Sequence, residues 1–585
     1  MVGLKEAPNT PDINKTALTR QAAPASLDMR ITTTGVFIAA AVILFFYLLG
    51  MRFLAYLPVP LFFISIFFML GSISVQCLFA DTSRGFSAVI LAEIMLAAFL
   101  FHIISQVRGP GLWGPDAYLD LASMKAILET GAVRGVPEYI QLTSFFPIIH
   151  IIGAQTSLIT GVDSFTVAKW LPSLIDLAIL PLLYLLTKSM FRHERAALVA
   201  PLVFITMQNH IYFGSLFIRE TIGLVLMMTC LYLYLPARPS FHPVAHRALA
   251  IVCLAAAILA HHFTSLMLML FLIIHWLVTS LPKPSIARNW LLPETGVTRI
   301  AFSLPLLAVW GTFAYWMFEV PEPINIFLIL TKNSLNPAVW GNQSYLSQTS
   351  HLALPSLRYY VLMYGSLLCY LVFGLFLIRQ TLANKMRRHL ETSATLFLAL
   401  LAGTGAVITV LLPSTIAGDR FLTFGWLIAF GPLAVAILEN RRRFLKAAGL
   451  FFVFLFMFIN LYTIHPTTWN PDFPGSGGLA WRQDFALAEK RDFSDGKFIG
   501  NLNNLMPIYN AQHIEGTDAF SLFSPVDLMT FDRIIVNRRG LYDEGIFSEH
   551  TLALISGMSD LLKRGSNRYN LSYESNNVSV FEKRP

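Results

Sequence analysis

The chain has 585 residues, of which 55% are hydrophobic and only 13% are charged. This number of polar side chains is too small to cover the surface of a soluble protein of this length. The composition therefore predicts a polytopic membrane protein. The net charge of +8 does not indicate a nucleic-acid partner. Half of the 42 Lys and Arg residues lie in short loops between apolar segments, where they orient a membrane protein.

Residues 1–30 are polar and lack a signal-peptide cleavage site before the first apolar run, so we expect a disordered cytoplasmic tail. Apolar runs long enough to cross a membrane as helices then recur up to residue 464. They lie at about 31–50, 54–79, 87–107, 166–187, 196–216, 220–236, 247–260, 264–281, 300–319, 359–378, 391–413, 421–438 and 447–464. The predicted fold class is mainly α, a polytopic transmembrane helical bundle of about thirteen helices over residues 31–464.

The first long loop, residues 108–165, follows three crossings and is expected on the outer side of the membrane. Within it, residues 111–131 predict an amphipathic helix that begins at Gly-Pro and ends at Gly131. Asp116 and Asp120 lie one turn apart in this helix, and we expect both carboxylates to face water. The apolar stripe that faces lipid or protein consists of Ala117, Leu121, Met124 and Leu128.

A shorter apolar segment, residues 144–160, contains Pro147 and His150. Counting it as a crossing would move the basic loop around Lys188 and every later basic loop to the outer side. We therefore expect it to lie in the membrane interface or to dip back out.

An odd number of crossings from a cytoplasmic start places residues 465–585 on the outer side, as a small α/β extracytoplasmic domain. Residues 552–563 have helical periodicity and residues 533–536 are typical of a strand. Residues 569–573 and 578–581 flank a Ser-Asn-Asn turn, as in a hairpin. The expected location is the cell (plasma) membrane, with a cytoplasmic N-terminus and an extracytoplasmic C-terminal domain.

Ionisable residues beside hydrocarbon are costly, so they mark functional sites more often than elsewhere. In this topology Glu93 and Asp176 lie deep within helices, and the other such residues collect at the outer helix ends. Those are Asp116, Asp120, Lys169, Arg219 with Glu220, His261 with His262, and Asp419 with Arg420. Each has a structural alternative: a helix cap for Asp116, ion pairs at helix ends for the Arg residues, and a hinge for the histidines. Their convergence on one side favours a functional site.

Such a set suits group transfer from a phosphate-linked carrier. A carboxylate can take the proton of an acceptor hydroxyl, while Arg and His stabilise the departing phosphate.

Three segments carry a resemblance to a known family: GPDAYLDLASMKAILETG, then FPIIHIIGAQTSLITGVDSF, then AKWLPSLIDLAILPLLYLLTKSM. They resemble the GT-C superfamily of integral-membrane glycosyltransferases, over roughly residues 110–440. The resemblance implies a polyprenyl-phosphate or diphosphate sugar as donor and a glycan, lipid or protein as acceptor. It assigns the catalytic acidic residue of the first loop to Asp116, with Asp120 second. For the donor phosphate we favour Arg420 and Arg219, with His261, His262 and Lys169 nearby.

The chain also departs from that pattern. Three helices precede the acidic loop where many members have one, and the Trp-Trp-Asp signature of oligosaccharyltransferases is absent from residues 465–585. The acidic motif is a single Asp and not an Asp-X-Asp or Glu-X-Asp pair. Both a reaction dependent on a divalent metal, Mg or Mn, and a metal-free reaction therefore stay open. Two other classes of function also stay open: a transporter or flippase for a lipid-linked glycan, and a non-catalytic scaffold.

Overall fold

A computed structural model describes most of the predicted membrane region and five short strands after it. The described residues are 27–53, 57–79, 84–108, 112, 115–133, 144–235, 243–280, 303–320, 357–382, 389–411, 418–463, 498–500, 514–515, 533–537, 569–574 and 578–583.

The described part of residues 27–463 is helical, because long apolar runs satisfy their backbone hydrogen bonds internally. The helices are α1 (Leu27–Phe53), α2 (Val59–Phe79), α3 (Arg84–Arg108), α4 (Pro115–Thr130), α5 (Ile148–Thr160), α6 (Ser164–Asp176), α7 (Ile179–Phe191), α8 (Glu194–Phe204), α9 (Gln208–Gly214), α10 (Arg219–Tyr234), α11 (Pro243–Ala260), α12 (His262–Ser280), α13 (Ser303–Phe318), α14 (Leu357–Leu382), α15 (His389–Leu411), α16 (Gly418–Leu438) and α17 (Arg443–Thr463).

The polytopic helical architecture predicted from the sequence is confirmed. Among the described residues, seven spans are long and apolar enough to cross a membrane: Met29–Gly50, Val59–Phe79, Gly85–Ile104, Ser164–Phe191, His262–Ser280, Phe421–Leu438 and Arg443–Leu461. An eighth is added if α8 and α9, which are bent by 72° at a short break, form one span. The other five predicted crossings coincide with α10, α11, α13, α14 and α15, so the total of thirteen stays a prediction.

Helix α5 has 13 residues. At 1.5 Å per residue it is about 20 Å long, less than the roughly 30 Å of a hydrocarbon core. This length agrees with the prediction that residues 144–160 do not cross the membrane.

The amphipathic helix of the first loop has the predicted bounds and packing. Gly131 ends it with a positive φ of 68° and donates a hydrogen bond to the carbonyl of Ile127. The apolar stripe faces protein, because Ala117, Leu121 and Met124 are buried against residues of α5 and α6. Leu128 is partly buried in the same cluster.

One expectation about this helix is wrong: the side chain of Asp120 does not face water but is fully buried. The cause is close packing by α5. A Cβ on Gly153 would lie 2.9 Å from Met124 and 2.9 Å from Phe217, so only glycine lets α5 approach α4 and the segment before α10 this closely. That approach covers the side of α4 that carries Asp120.

The break between α8 and α9 consists of residues 205–207. The broken helix leaves the backbone N–H of Gln208 without an intrahelical acceptor, and this N–H donates to Oδ1 of Asn460 in α17 at 3.3 Å. The amide of Asn460 in turn donates to the carbonyl of Phe456. A side chain from the last described helix, distant in sequence, therefore supports the bend.

The described residues after 463 form one mixed sheet in the order β2-β1-β3-β5-β4. The strands are β1 (Phe498–Gly500), β2 (Ile514–Glu515), β3 (Arg533–Asn537), β4 (Tyr569–Glu574) and β5 (Val578–Lys583). β1 pairs in parallel with β2 and β3, and β4 and β5 form an antiparallel hairpin. The predicted strand at 533–536 and the predicted hairpin are confirmed. The predicted helix at 552–563 lies outside the described residues, and the domain boundary at 465 stays a prediction.

Candidate functional site

The buried carboxylate of Asp120 is the centre of the candidate site. Its Oδ1 lies 2.8 Å from Nε2 of His150 and 3.1 Å from Nε of Arg219. Asp120 and His150 are fully buried, and Arg219 is 12% exposed. An ionised carboxylate can only accept hydrogen bonds, so His150 donates from Nε2, while Arg219 forms an ion pair with the same oxygen. A buried carboxylate is costly unless it is paired, and the arginine and histidine supply that pairing.

Three separate elements bring these side chains together. Asp120 lies in the second turn of α4, His150 in the first turn of α5, and Arg219 is the first residue of α10. Phe217, two residues before Arg219, is buried in the same apolar cluster as Met124 and Ile149. The apolar packing of α4, α5 and the start of α10 therefore fixes where the three polar groups meet.

The guanidinium of Arg219 retains capacity for another partner. Its Nη1 is buried and has no hydrogen-bond acceptor among the described residues. Its Cζ lies 5.9 Å from the ring centre of Phe146, within the range of a cation–π contact. The ring of Phe146 is also 5.3 Å from that of His262. Phe146 therefore links Arg219 with the histidine pair.

The histidine pair lies where α11 meets α12: His261 is the connecting residue and His262 is the first residue of α12. Nδ1 of His261 lies 2.8 Å from Oγ1 of Thr264, and the rings of His261 and His262 are 4.8 Å apart. Helix α10 packs closely here, because a Cβ on Gly223 would lie 2.9 Å from Oγ1 of Thr264. His261 thus has a structural bond at a helix start, while His262 faces the ring of Phe146.

The remaining predicted site residues lie in different environments. Arg219 pairs with Asp120, whereas Glu220 is buried on the side of Asp176. Lys169 is buried in α6, next to Ala168 of the cluster that packs on α4. Asp116 lies in the first turn of α4, but its side chain is outside the described part of the chain. The same holds for Asp419 and Arg420 in the first turn of α16.

A metal ligand set for Mg or Mn does not fit Asp120. Its Oδ1 already accepts a hydrogen bond from His150 and pairs with Arg219, and the guanidinium would repel a divalent cation at the same carboxylate. We therefore derive no step through a metal at Asp120.

Sequence reasoning did not identify His150 as a site residue, nor a second group formed by His102, Asp176 and His210. Asp176 stood out only as a deep acidic residue. The signal that could have found the others is an isolated histidine within an apolar run, because polar side chains in such runs face one another across helices.

Comparisons with known proteins support the fold. No family model matches the sequence, and no curated protein matches it. Two crystal structures of ArnT from Cupriavidus metallidurans are similar to the chain at 12% sequence identity, each covering 85% of this chain and 98% of ArnT. The apo structure gives a TM-score of 0.50, and the structure bound to undecaprenyl phosphate gives 0.48.

ArnT is a GT-C glycosyltransferase. At this identity the likeness is one of fold, so the chain has a polytopic helical fold similar to that of ArnT. The resemblance predicted from the sequence is confirmed at that level, and the chain is a multi-pass membrane protein.

Proposed function

We propose that this protein is a glycosyltransferase that moves a sugar from a polyprenyl-phosphate-linked donor to an acceptor on the outer side of the cell membrane. The observation that carries the proposal is the state of Arg219 within a GT-C fold. Its Nε is fixed by the buried carboxylate of Asp120, and its Nη1 has no acceptor among the described residues. An arginine fork held in this way is ready to bind phosphate oxygens.

The chemistry needs a proton acceptor and a stabiliser of the leaving group. The acceptor hydroxyl oxygen attacks C1 of the sugar, and its proton passes to the carboxylate of Asp116. The bond between C1 and the phosphate oxygen breaks, and its electron pair leaves with the polyprenyl phosphate. Arg219 binds the negative charge that develops there.

Asp120 and His150 act as positioning residues in this scheme. Asp120 and His150 are fully buried, and Asp120 is already paired with both His150 and Arg219. Asp120 is therefore poorly placed to take a proton from an acceptor. Asp116, one turn earlier on the same side of α4, is our proposed base. Asp120 fixes the orientation of Arg219, and His150 fixes the orientation of Asp120.

We assign the rest of the donor-phosphate site to Arg420, His262 and Lys169, with His261 supporting His262. Phe146 lies between Arg219 and His262, which supports a single site. The acceptor is a glycan, a lipid or a protein on the same side, since all three present a nucleophilic oxygen or nitrogen. The orientation, with residues 1–30 inside and 465–585 outside, follows from the basic loops.

Every reaction of this kind releases the polyprenyl phosphate carrier. Measuring that product therefore tests the proposal without knowledge of the sugar. Purified protein in proteoliposomes is incubated with a lipid extract of the native envelope, and free polyprenyl phosphate is measured by mass spectrometry. We expect the wild type to release it, with release falling about 10²–10³-fold in Arg219→Ala. The mass also distinguishes a monophosphate from a diphosphate donor.

The matched control is Arg195→Ala, a change in the basic loop region that is distant in the predicted topology from the outer face. It should release polyprenyl phosphate at the wild-type rate. A wild type that moves lipid-linked glycan between leaflets without breaking the sugar–phosphate bond would overturn the transferase in favour of a transporter or flippase.

A further inference from the structure

A second cluster of polar groups lies inside the bundle and has no part in the proposed reaction. It consists of His102 in α3, Asp176 at the end of α6 and His210 in α9. Each of the three side chains is at most 1% exposed. Nε2 of His102 lies 3.5 Å from Oδ2 of Asp176, and Nε2 of His210 lies 3.2 Å from the same atom.

The separation of 3.5 Å matches that of neighbouring ligands on a tetrahedral ion, and the separation of 3.2 Å lies just below that range. With metal–nitrogen and metal–oxygen distances of about 2.0–2.2 Å, the edge of a tetrahedron is about 3.3–3.6 Å. The corresponding edge of an octahedron with the same bonds is about 2.8–3.1 Å. One potential ligand atom from each of the three residues lies within 4.8 Å of those from the other two.

The carboxyl of Asp176 and the ring of His210 lie close together but do not form a hydrogen bond with each other. Both carboxylate oxygens of Asp176 and both ring nitrogens of His210 are buried without a hydrogen-bond partner among the described residues. Buried polar atoms are rarely left in this state. A short separation without hydrogen-bond geometry is what two ligands of one metal ion show.

The charge of the cluster also favours a cation. The described partners of Asp176 at ion-pair distance are the two histidines, and Glu220, 2% exposed, is close enough to interact electrostatically with Asp176. Two buried carboxylates near each other repel, and a divalent cation removes that repulsion.

We propose that His102, Asp176 and His210 bind a zinc ion that holds α3, α6 and the bent α9 together. Two imidazoles and one carboxylate suit zinc and not Mg or Ca, which prefer oxygen ligands. The packing fits such a role. Phe204 lies with its ring centre 4.0 Å from that of His210, and a Cβ on Gly214 would be 2.8 Å from the carboxyl of Asp176.

The test is made first on the wild-type protein, so it does not depend on any variant folding. The protein is purified in detergent with a tag that contains no histidine, and its metal content is measured by inductively coupled plasma mass spectrometry. The ion is then removed with a chelator and replaced with Co²⁺. We expect about one zinc ion per chain and, after exchange, the visible absorption of tetrahedral Co²⁺. Absence of both bound zinc and a tetrahedral Co²⁺ spectrum would overturn the site.

Variants then locate the ion. His210→Ala and Asp176→Asn should each lower bound zinc at least about tenfold. His275→Ala is the matched control, because His275 is also a buried intramembrane histidine but is bonded to Oγ of Ser393 at 2.9 Å. It should keep the zinc of the wild type. Full zinc content in monodisperse His210→Ala, or its loss in His275→Ala alone, would contradict the assignment. The measurement reads metal and not transfer, so its result is independent of the proposed function.

Discussion

Asp120 and Asp176 are both buried carboxylates of the same helical bundle, and both lie against histidine. They differ in one partner: Asp120 also binds Arg219, whereas the described partners of Asp176 are histidines. An arginine carries a permanent charge, but a histidine carries one only when protonated. The first site therefore contains its own cation, Arg219, and the part of the guanidinium that Asp120 does not contact can bind an anion. The second needs a cation from outside the chain.

This difference teaches how a helical membrane protein can use the same acidic side chain for two purposes. At Asp120, burial fixes the direction of a guanidinium. At Asp176, burial brings ligands to the spacing of a metal ion. The comparison can be tested by changing each side separately.

The largest expected effect concerns Asp116, on the same side of α4 as Asp120. Asp116→Asn should lower transfer about 10²–10⁴-fold, because the amide cannot take the proton of the acceptor. The melting temperature should stay close to that of the wild type. The measurement is the release of polyprenyl phosphate, with Asp163→Asn as a control at another helix start. Wild-type release by Asp116→Asn would remove Asp116 from the reaction.

The next effect compares the two buried carboxylates directly. Asp120→Asn should lower the free energy of unfolding by about 3 kcal/mol, because it leaves the charge of Arg219 partly buried and unpaired. Replacing Arg219 with Gln in the same chain should recover part of this loss. The free energy is followed by unfolding in mixed micelles.

For Asp176→Asn the loss should depend on metal. The wild type treated with a chelator should become about as unstable as the variant, whereas the loss in Asp120→Asn should be the same with and without chelator. If the chelator changed the loss of unfolding free energy equally in Asp120→Asn and Asp176→Asn, the proposed difference between the two sites would be wrong.

A smaller effect is expected at Gly214, which contacts Asp176 through backbone alone. Gly214→Ala would place a methyl group 2.8 Å from the carboxyl carbon of Asp176. Such overpacking should cost about 1–3 kcal/mol and weaken zinc binding. Gly71→Ala is the control, since a Cβ there meets nothing within 4 Å. Both are measured by thermal unfolding, and an equal melting temperature for the two variants would contradict the close approach.

The smallest effect belongs to an exposed carboxylate, Asp163, which serves as a reference for the buried ones. It accepts a hydrogen bond from the backbone N–H of Thr166 at 2.9 Å, and hydrogen bonds from Thr166 lower the pKa of Asp163. Asp163→Ala should cost about 1 kcal/mol at neutral pH. Because the pKa is lower in the folded state, this contribution is present above the unfolded pKa and is lost as the pH falls through the folded one.

The check is the difference in melting temperature between the wild type and Asp163→Ala as a function of pH. It should shrink in acid. Asp163→Asn keeps the cap without a titrating group and should show no such change relative to Asp163→Ala. A difference that is constant down to acid pH would show that the charge of Asp163 is irrelevant to the cap.

Much of the fold could be predicted because its signals are local. Apolar runs predicted the long helices, and Gly131 predicted the end of α4. Strand-like residue patterns predicted β3 and the hairpin. The apolar stripe of α4 predicted its buried face correctly. These features depend on residues within one or two turns of each other.

The sites were predicted only in part because their contacts are distant in sequence. Asp120 and Arg219 were both named as candidates, but periodicity does not say what covers the polar side of a helix. Helix α5 covers it, and Gly153 makes that approach close enough. His150 is 30 residues from Asp120, and the three residues of the zinc site come from α3, α6 and α9. Each looks like an isolated polar residue until the helices are assembled.

The bend between α8 and α9 has a consequence for how the protein is made. The N–H of Gln208 is accepted by Asn460, which lies 252 residues later. The bent segment is therefore synthesised and inserted into the membrane well before Asn460 is synthesised. Until α17 is inserted, the break exposes an unsatisfied backbone group to its surroundings. We expect chains truncated before residue 443 to be selectively cleaved by membrane proteases near this bend, so that its final shape is set by the last helix to leave the translocon.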